Sequence, residues 1–478
     1  MEPKAVAERV EQVWDVDVLP ALVDYIRIPN LSPMFDPDWQ LAGHMAAAVE
    51  HVRGWCAKRP IAGLTISVRE LEGRTPLIVI DVPAFGASAT ARTDDVVLLY
   101  GHLDKQPPMT GWRDDLDPFT PVFDGDRLYG RGSADDGYAA FAALTALEAV
   151  QAAGGSHARC VLLVEASEES GSPDLPDHMD ALGSMVGSPS LVVALDSFCA
   201  TYDQLWLTTS VRGLAGVVLT VRVLDEGVHS GSAGGVVPSS FRILRRLLDR
   251  VEDADTGEVL VAELHVDVPP DREAQIIAAA AELGEPAGGT FPTIATRHHE
   301  GDPAAQLRAR TWEPSLALIG MDGVPPTASA GNVLRPFTTA KLSFRIPPTC
   351  DPQRAVEAIV RVLSADPPHG ATVEVTVDDV GPGWNAPLMA PWLEAAAEAA
   401  SQGAFGQPCR AMGEGGTIPF MGMLGEQFPE AQFVITGVLG PGSNAHGPNE
   451  FLHIPMAKGV TTAVALLLDA HANRFSRE

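Results

Sequence analysis

The 478-residue chain is poor in cysteine, and no pair of its cysteines forms a Cys-x-x-Cys motif. The five cysteines are widely separated and odd in number: Cys56, Cys160, Cys199, Cys350 and Cys409. This usage argues against a disulfide framework and against a cysteine-ligated zinc site. A reducing cytosol is therefore the expected compartment.

Positive charge is also scarce, with 33 Lys and Arg against 62 Asp and Glu and a formal net charge of −29. Such a surface repels phosphate backbones, so we expect no nucleic-acid partner. Two interpretations of the acidity remain open. In the first, the acidic side chains form a well-solvated surface. In the second, some of them form a cation site, because carboxylates in the interior need a metal or a partner.

Long apolar runs are absent, and no stretch approaches 18 apolar residues. We therefore expect neither a transmembrane helix nor a membrane partner. The first 22 residues lack the apolar core of a signal peptide and have the pattern of an acidic amphipathic helix.

Short apolar runs alternate with helical patterns in the first 209 residues. Runs at 77–82, 96–100, 161–164 and 191–195 are typical of buried strands, and 138–153 has an Ala-rich helical pattern. This alternation predicts an α/β sheet with helices on both faces. After residue 209 the pattern becomes that of a smaller α+β domain. We predict an inserted domain at 210–385 within a larger domain formed by segments 1–209 and 386–478, with residues 251–335 irregular.

Chemistry-bearing side chains follow the predicted strands. The segment VLLYGHLDKQPP presents His102 and Asp104 two residues apart, so that one can bind a metal while the other orients it. A structural role for this pair is the alternative. In YGRGSADDG, Asp135 and its neighbour Asp136 follow a glycine-rich turn, where acids also stabilise a helix start.

A further apolar strand runs into Glu168 and Glu169 in VLLVEASEESG. A cation would neutralise such a pair and leave one glutamate as a general base, although a solvated acidic loop is the alternative. The segment LVVALDS ends in Asp196, and GPGSNAHGPNEF carries His446 in an irregular loop.

Five of these side chains form a histidine–carboxylate set without cysteine: His102, Asp135, Glu169, Asp196 and His446. Mixed imidazole and carboxylate ligation suits zinc, and also manganese or cobalt. Five ligands suffice for two ions if one carboxylate and one water bridge them at about 3.5–4 Å.

The order of these motifs resembles the co-catalytic zinc metallopeptidases that include carnosine dipeptidase, aminoacylase and glutamate carboxypeptidase, with the cytosolic dipeptidase branch closest. The resemblance spans about residues 10–470. It implies a zinc-exopeptidase-like catalytic domain with a mixed central sheet, and an inserted α+β, ferredoxin-like lid and dimerisation domain. It also implies a homodimeric, metal-dependent exopeptidase.

The resemblance further implies a role for each motif residue. His102 and Asp196 would hold one ion, Glu169 and His446 the second, and Asp135 both. Glu168 would be the general base, and Asp104 would orient His102.

In the inserted domain, His229 of GVHSG would reach the partner subunit's site and polarise the scissile carbonyl. Arg345 of SFRIP would hold the substrate carboxylate, although pairing with a surface acid is the alternative. Four further residues would lie near the substrate: Asn332, Glu414, Gly416 and Thr417.

Two positions depart from the pattern that the resemblance implies. Lys105 stands where the family commonly has an apolar residue, and Gly137 and Tyr138 follow Asp136 where the dipeptidase branch commonly has a lysine. These departures bear on substrate preference. Three functions follow as hypotheses. The first is a dipeptidase with two divalent ions, the second an N-acyl-amino-acid deacylase with the same site, and the third a metal-bound scaffold without catalysis.

Overall fold

The computed structural model describes residues 1–86, 95–289, 301–416 and 418–475. The chain divides into two compact units. The first comprises Met1–Thr209, Ala386–Met412 and Pro419–Glu478, and the second comprises Ser210–Asn385 and Gly413–Ile418. Within the described ranges, no helix combines the length and apolarity needed to cross a membrane.

Strands and helices alternate along the chain. The strands are β1 Thr65–Arg69, β2 Leu77–Val82, β3 Val96–His102, β4 Val122–Asp124, β5 Arg127–Tyr129, β6 Arg159–Glu165, β7 Pro189–Ala194, β8 Trp206–Val211, β9 Gly213–Arg222, β10 Val228–His229, β11 Ser315–Asp322, β12 Val333–Leu334, β13 Phe337–Ile346, β14 Thr372–Gly381, β15 Trp384–Asn385, β16 Arg410–Glu414, β17 Gln432–Ile435 and β18 Phe451–His453.

The α-helices are α1 Pro3–Val13, α2 Leu19–Ile26, α3 Trp39–Ala42, α4 His44–Cys56, α5 Ala139–Ala152, α6 Leu175–Leu182, α7 Ser230–Ala233, α8 Ser240–Leu248, α9 Pro270–Leu283, α10 Pro303–Thr311, α11 Pro352–Ser364, α12 Pro391–Phe405, α13 Pro419–Gln427 and α14 Ile454–Ala472. A π-helical segment, Trp14–Val18, joins α1 to α2.

The first unit is built on a six-stranded sheet of order β1-β2-β6-β3-β7-β17. Strands β6, β3, β7 and β17 run parallel, whereas β1 and β2 are antiparallel to their neighbours. Strand β3 is buried along its whole length because both faces of the sheet are covered, which explains its unbroken apolar sequence. The structure confirms the predicted α/β class with a mixed central sheet.

The parallel strands set the position of the functional residues. Parallel strands end at one edge of a sheet, and ligands bind there in open α/β sheets. Strands β3, β6 and β7 all deliver polar side chains at this edge. Helix α5 follows the Asp135 loop and packs against α14 and β3, and its small residues keep it buried on nearly every side.

The second unit contains a four-stranded antiparallel sheet of order β11-β13-β9-β14. Helices α8 and α11 pack against this sheet to form one apolar core. This is a ferredoxin-like arrangement, as expected for the inserted domain. Asp351 caps the start of helix α11, because its carboxylate accepts the backbone N–H groups of Gln353 at 2.9 Å and Arg354 at 3.1 Å.

The prediction that residues 251–335 are irregular is wrong. This stretch contains helices α9 and α10 and the edge strand β11. Strand β11 was missed because it exposes Leu318, Ile319 and Met321 at the sheet edge, so it lacks the alternation of a half-buried strand.

Candidate active site

The candidate site lies at the carboxyl edge of the six-stranded sheet. His102 is the last residue of β3 and pairs in register with Glu165, the last residue of β6. Glu169 lies in a short 3₁₀ turn just after β6, and Asp196 follows β7. Three neighbouring parallel strands therefore bring residues far apart in sequence to one place.

Asp135 lies between two histidines. Its Oδ1 is 3.3 Å from Nε2 of His102, and its Oδ2 is 3.0 Å from Nε2 of His446. The Nε2 atom of His446 is also 3.2 Å from Oε2 of Glu169, and the Nε2 atom of His102 is 3.7 Å from Oδ2 of Asp196. The structure thus brings together all five side chains that the sequence nominated as ligands, with one carboxylate in the middle.

Asp104 is fully buried behind this cluster. Its carboxylate accepts the backbone N–H groups of Glu168 at 3.1 Å and Glu169 at 3.0 Å. Its Oδ1 also lies 3.5 Å from Nδ1 of His102. One carboxylate therefore contacts both the histidine ring and the turn that carries the paired glutamates.

The cluster carries more acid than its histidines neutralise. Burial, followed by the charge of Asp196, raises the pKa of Glu168 well above its usual value. Burial opposes protonation of His446, but hydrogen bonds to Asp135 and Glu169 outweigh it and raise its pKa to about 11. Carboxylates crowded in a buried site require a compensating cation.

The donor set fits divalent ions. Oε2 of Glu169 accepts a hydrogen bond from Nε2 of Gln106 at 2.6 Å, whereas the buried Oε1 accepts none from the described residues. Ligand atoms of His102, Asp135 and Glu169 lie within 4.8 Å of one another, as do those of His102, Glu168 and Asp196. Two overlapping imidazole–carboxylate groups of this kind suit zinc, manganese or cobalt.

The sequence interpretation missed three residues around the site. Gln106 contacts Glu169 directly, and Arg131 forms a buried ion pair with Glu450 beside the loops of Asp135 and His446. Two of these residues stand in motifs that the sequence analysis had already singled out. Gln106 follows His102 in GHLDKQ, and Glu450 follows His446 in HGPNEF.

In the second unit, His229 and Asn332 come together through a two-stranded ladder. His229 pairs with Val333, and the N–H of Ser230 donates to the carbonyl of Asn332 at 2.9 Å. His229 is exposed and accepts the N–H of Gly231 at 3.1 Å through Nδ1. Among the described residues no hydrogen bond is made to Nε2 of His229, so this ring nitrogen can contact an external ligand.

Arg345 lies within β13, in register with Ser315 of β11, and its side chain is half-buried. Burial lowers its pKa. Glu414 ends β16 and its carbonyl accepts the N–H of Arg212 at 3.3 Å. Gly416 follows in the same loop, while Thr417 lies outside the described residues.

The two departures from the family pattern belong to one packed group. Nζ of the fully buried Lys105 donates to the carbonyls of Tyr25 at 2.9 Å and Ile28 at 2.7 Å. A Cβ on Gly132 would lie 2.6 Å from Cε of Lys105, and one on Gly137 would lie 2.1 Å from Cε1 of Tyr25. Lys105 and Tyr25 therefore occupy the space that side chains at positions 132 and 137 would need.

A mixed α/β sheet with histidines and carboxylates gathered at its carboxyl edge defines the class of this protein as a metallohydrolase. Comparison with known proteins identifies the family. The model of peptidase family M20/M25/M40 matches residues 98–470, and the chain belongs to this family. The resemblance inferred from the motifs is thereby confirmed, and the chain is an enzyme of a metallopeptidase family.

Known relatives extend the comparison. The chain is 29% identical over 382 residues to a cysteinylglycine-S-conjugate dipeptidase of Corynebacterium striatum, covering 76% of this chain and 79% of the relative. It is 25% identical over 376 residues to human Beta-Ala-His dipeptidase, covering 76% and 72% respectively. A solved dipeptidase structure from Saccharomyces cerevisiae matches with a TM-score of 0.76 at 22% identity over 98% of both chains, which supports the fold.

Proposed function

We propose that this enzyme is a dipeptidase that hydrolyses the amide bond of dipeptides or short peptides bearing a free amine. The observation that carries the proposal is the placement of Asp135, whose two oxygens contact two different histidines at 3.3 and 3.0 Å. A carboxylate so placed can bridge two ions. The relatives named above are dipeptidases for cysteinylglycine conjugates and for Beta-Ala-His, which supports a dipeptide substrate.

The proposed cofactor is a pair of divalent ions, zinc by preference, with manganese or cobalt as alternatives. In this assignment His102 and Asp196 would hold the first ion, Glu169 and His446 would hold the second, and Asp135 would contribute to both. When bound, the ions supply Lewis acidity and activate water near neutral pH.

Glu168 is the proposed general base. Its backbone is fixed by Asp104 on the same turn as Glu169, and its carboxylate lies within 4.8 Å of ligand atoms of His102 and Asp196. Glu168 accepts a proton from the attacking water and then delivers a proton to the leaving amine. Arg345 binds the carboxylate of the substrate through its planar guanidinium, which favours short peptides with a free carboxyl end.

We further propose that the enzyme is a homodimer in the cytoplasm, and that residues 210–385 form its lid and dimerisation domain. In such a dimer, His229 of the partner subunit would stabilise the negative charge that develops on the scissile carbonyl oxygen. The exposed position of His229 supports this role, as does its Nε2, which accepts no hydrogen bond within the part of the chain that the structure describes. Asn332, Glu414, Gly416 and Thr417 are proposed to line the substrate site.

The deciding experiment is hydrolysis of matched substrates by chelator-stripped protein with zinc, manganese or cobalt restored. Each dipeptide is paired with its N-acetylated form. We expect metal-dependent cleavage of the dipeptides with free amines. Cleavage confined to acylated substrates would assign the enzyme to the N-acyl-amino-acid deacylases, and absence of amide hydrolysis in protein with two bound ions would favour a scaffold.

A further inference from the structure

A buried ion pair lies beside the proposed metal ligands without being one of them. Arg131 and Glu450 are 1% and 0% exposed, and Nη1 of the arginine lies 2.7 Å from Oε2 of the glutamate. Arg131 precedes the loop of Asp135, and Glu450 follows the loop of His446. The pair therefore connects the two segments whose side chains meet in the site.

Glu450 acts as an anchor beneath the Asp135 loop. Its Oε2 accepts the N–H of Gly132 at 3.1 Å, and its Oε1 accepts the N–H groups of Ala134 at 3.1 Å and Asp135 at 3.2 Å. Both oxygens of this carboxylate are thus used on one turn. Charge-assisted hydrogen bonds of this kind are strong, and they fix the backbone from which the Asp135 carboxylate projects.

Arg131 extends the same contacts to two other loops. Its Nη2 donates to the carbonyl of Gly447 at 2.7 Å, one residue after His446. Its Nε donates to the carbonyl of Pro107 at 3.2 Å, one residue after Gln106, which contacts Glu169. The guanidinium of Arg131 therefore connects the Asp135 loop to two other loops of the site, those of Gln106 and His446.

We propose that the Arg131–Glu450 pair is a positioning pair that sets the separation between Asp135 and His446, and so sets the affinity of the second ion. The inference rests on the proposed dinuclear function. The physical reason is that each partner is bonded to backbone next to a ligand rather than to the core. A purely structural pair would alter the stability of the fold and leave the affinity of the folded protein for metal unchanged.

The test compares Glu450→Gln with a control ion pair in the same unit. Glu450→Gln keeps the shape of the side chain but turns an amide N–H₂ toward backbone donors. The control is Asp81→Asn, which breaks the bidentate pair of Asp81 with Arg159 at 2.9 and 2.6 Å. Arg159 begins β6, so this pair lies at the sheet edge opposite the site.

Two readouts are independent of hydrolysis. The first is the affinity for each zinc ion, measured by competition with a chelator. The second is the hydrogen-exchange rate of the Gly132, Ala134 and Asp135 amides in chelator-stripped protein. We expect Glu450→Gln to lower the affinity for the second ion by about 10–100-fold and to accelerate exchange of these amides, whereas Asp81→Asn changes neither.

Wild-type affinity and wild-type exchange in Glu450→Gln would overturn the proposal. If that variant does not fold, Arg131→Lys serves in its place, because it keeps the charge but loses the fork that contacts Gly447 and Pro107. It should weaken binding of the second ion, and unchanged affinity would again overturn the proposal. A wild-type protein that binds two ions but cleaves no dipeptide would contradict only the proposed function.

Discussion

The carboxylate of Asp104 accepts the backbone N–H of Glu169 at 3.0 Å, and Asp104 is fully buried where it does so. The same carboxylate accepts the N–H of Glu168 and faces the ring of His102. Asp104 therefore supports Glu168, which is the proposed base. It also supports Glu169 and His102, which are proposed ligands of different ions, although Asp104 is not itself a proposed ligand. Such supporting residues orient the groups that do the chemistry.

Replacing Asp104 should therefore weaken both metal binding and turnover. In Asp104→Asn, the amide N–H₂ faces backbone donors and one hydrogen bond to the turn is lost. We expect a loss of about 10–100-fold in metal affinity or in kcat/KM. Isothermal titration with zinc and steady-state kinetics measure the two quantities. Unchanged values for both would mean that the turn is held by other contacts.

Glu168→Gln should separate chemistry from metal binding. The variant keeps the size of the side chain but cannot accept a proton, so we expect kcat to fall by about 10²–10⁴-fold. Two ions should remain bound, as measured by elemental analysis after gel filtration. Because Glu168 lies in one group with His102 and Asp196, loss of one ion would instead identify Glu168 as a ligand.

Lys105 should contribute to stability rather than to catalysis. Its ammonium caps the carbonyl end of α2, and burial lowers its pKa well below the usual value. Lys105→Met keeps an apolar stem but leaves these buried carbonyls without their donor, so we expect a loss of about 2 kcal/mol or more in the free energy of unfolding.

The matched control is Lys458→Met, because Lys458 pairs with the exposed Asp15 at 2.7 Å on the surface. An exposed pair contributes roughly 1 kcal/mol or less. Urea unfolding of chelator-stripped protein measures both variants. Equal losses in the two variants would contradict the structural role of Lys105.

Glu165 should make stability depend on pH. It accepts hydrogen bonds from Tyr100 at 2.5 Å and from Ser172 at 2.8 Å, and burial raises its pKa from 4.5 to about 7. The folded chain therefore holds a proton between pH 4.5 and 7 that the unfolded chain has released. This contribution is complete below pH 4.5 and is lost as the pH rises to 7, by about 3 kcal/mol in total.

Glu165→Gln removes the titrating group and should remove this contribution. The measurement is urea unfolding of both proteins from pH 4.5 to 7.5 in the presence of chelator. The difference in unfolding free energy between wild type and variant should change across that range. A constant difference would show that Glu165 stays ionised in the folded chain.

Much of the first unit was predictable because the apolar run of a buried strand, and the polar residue that follows it, are visible in a short segment of sequence. The apolar run of β3 reflects burial on both faces, and His102 follows from its position at the end of that strand. The grouping of His102, Glu169 and Asp196 also followed, since parallel strands end at one edge. The stretch 251–335 was not predictable in this way, because β11 is identified by its pairing with β13 and not by burial.

The sequence by itself determined strands β2, β3, β6 and β7 of the central sheet, the donor chemistry of the site and the family to which the motifs point. These follow from local periodicity and from residue type, both of which are present in short segments. Only the tertiary structure decided how the site is supported. Glu450 contacts the N–H of Asp135 across a separation of 315 residues, and Lys105 contacts Tyr25 across 80. No local pattern encodes such pairs, because their partners meet only when the chain is folded, and the low dielectric of the interior then strengthens the hydrogen bonds between them.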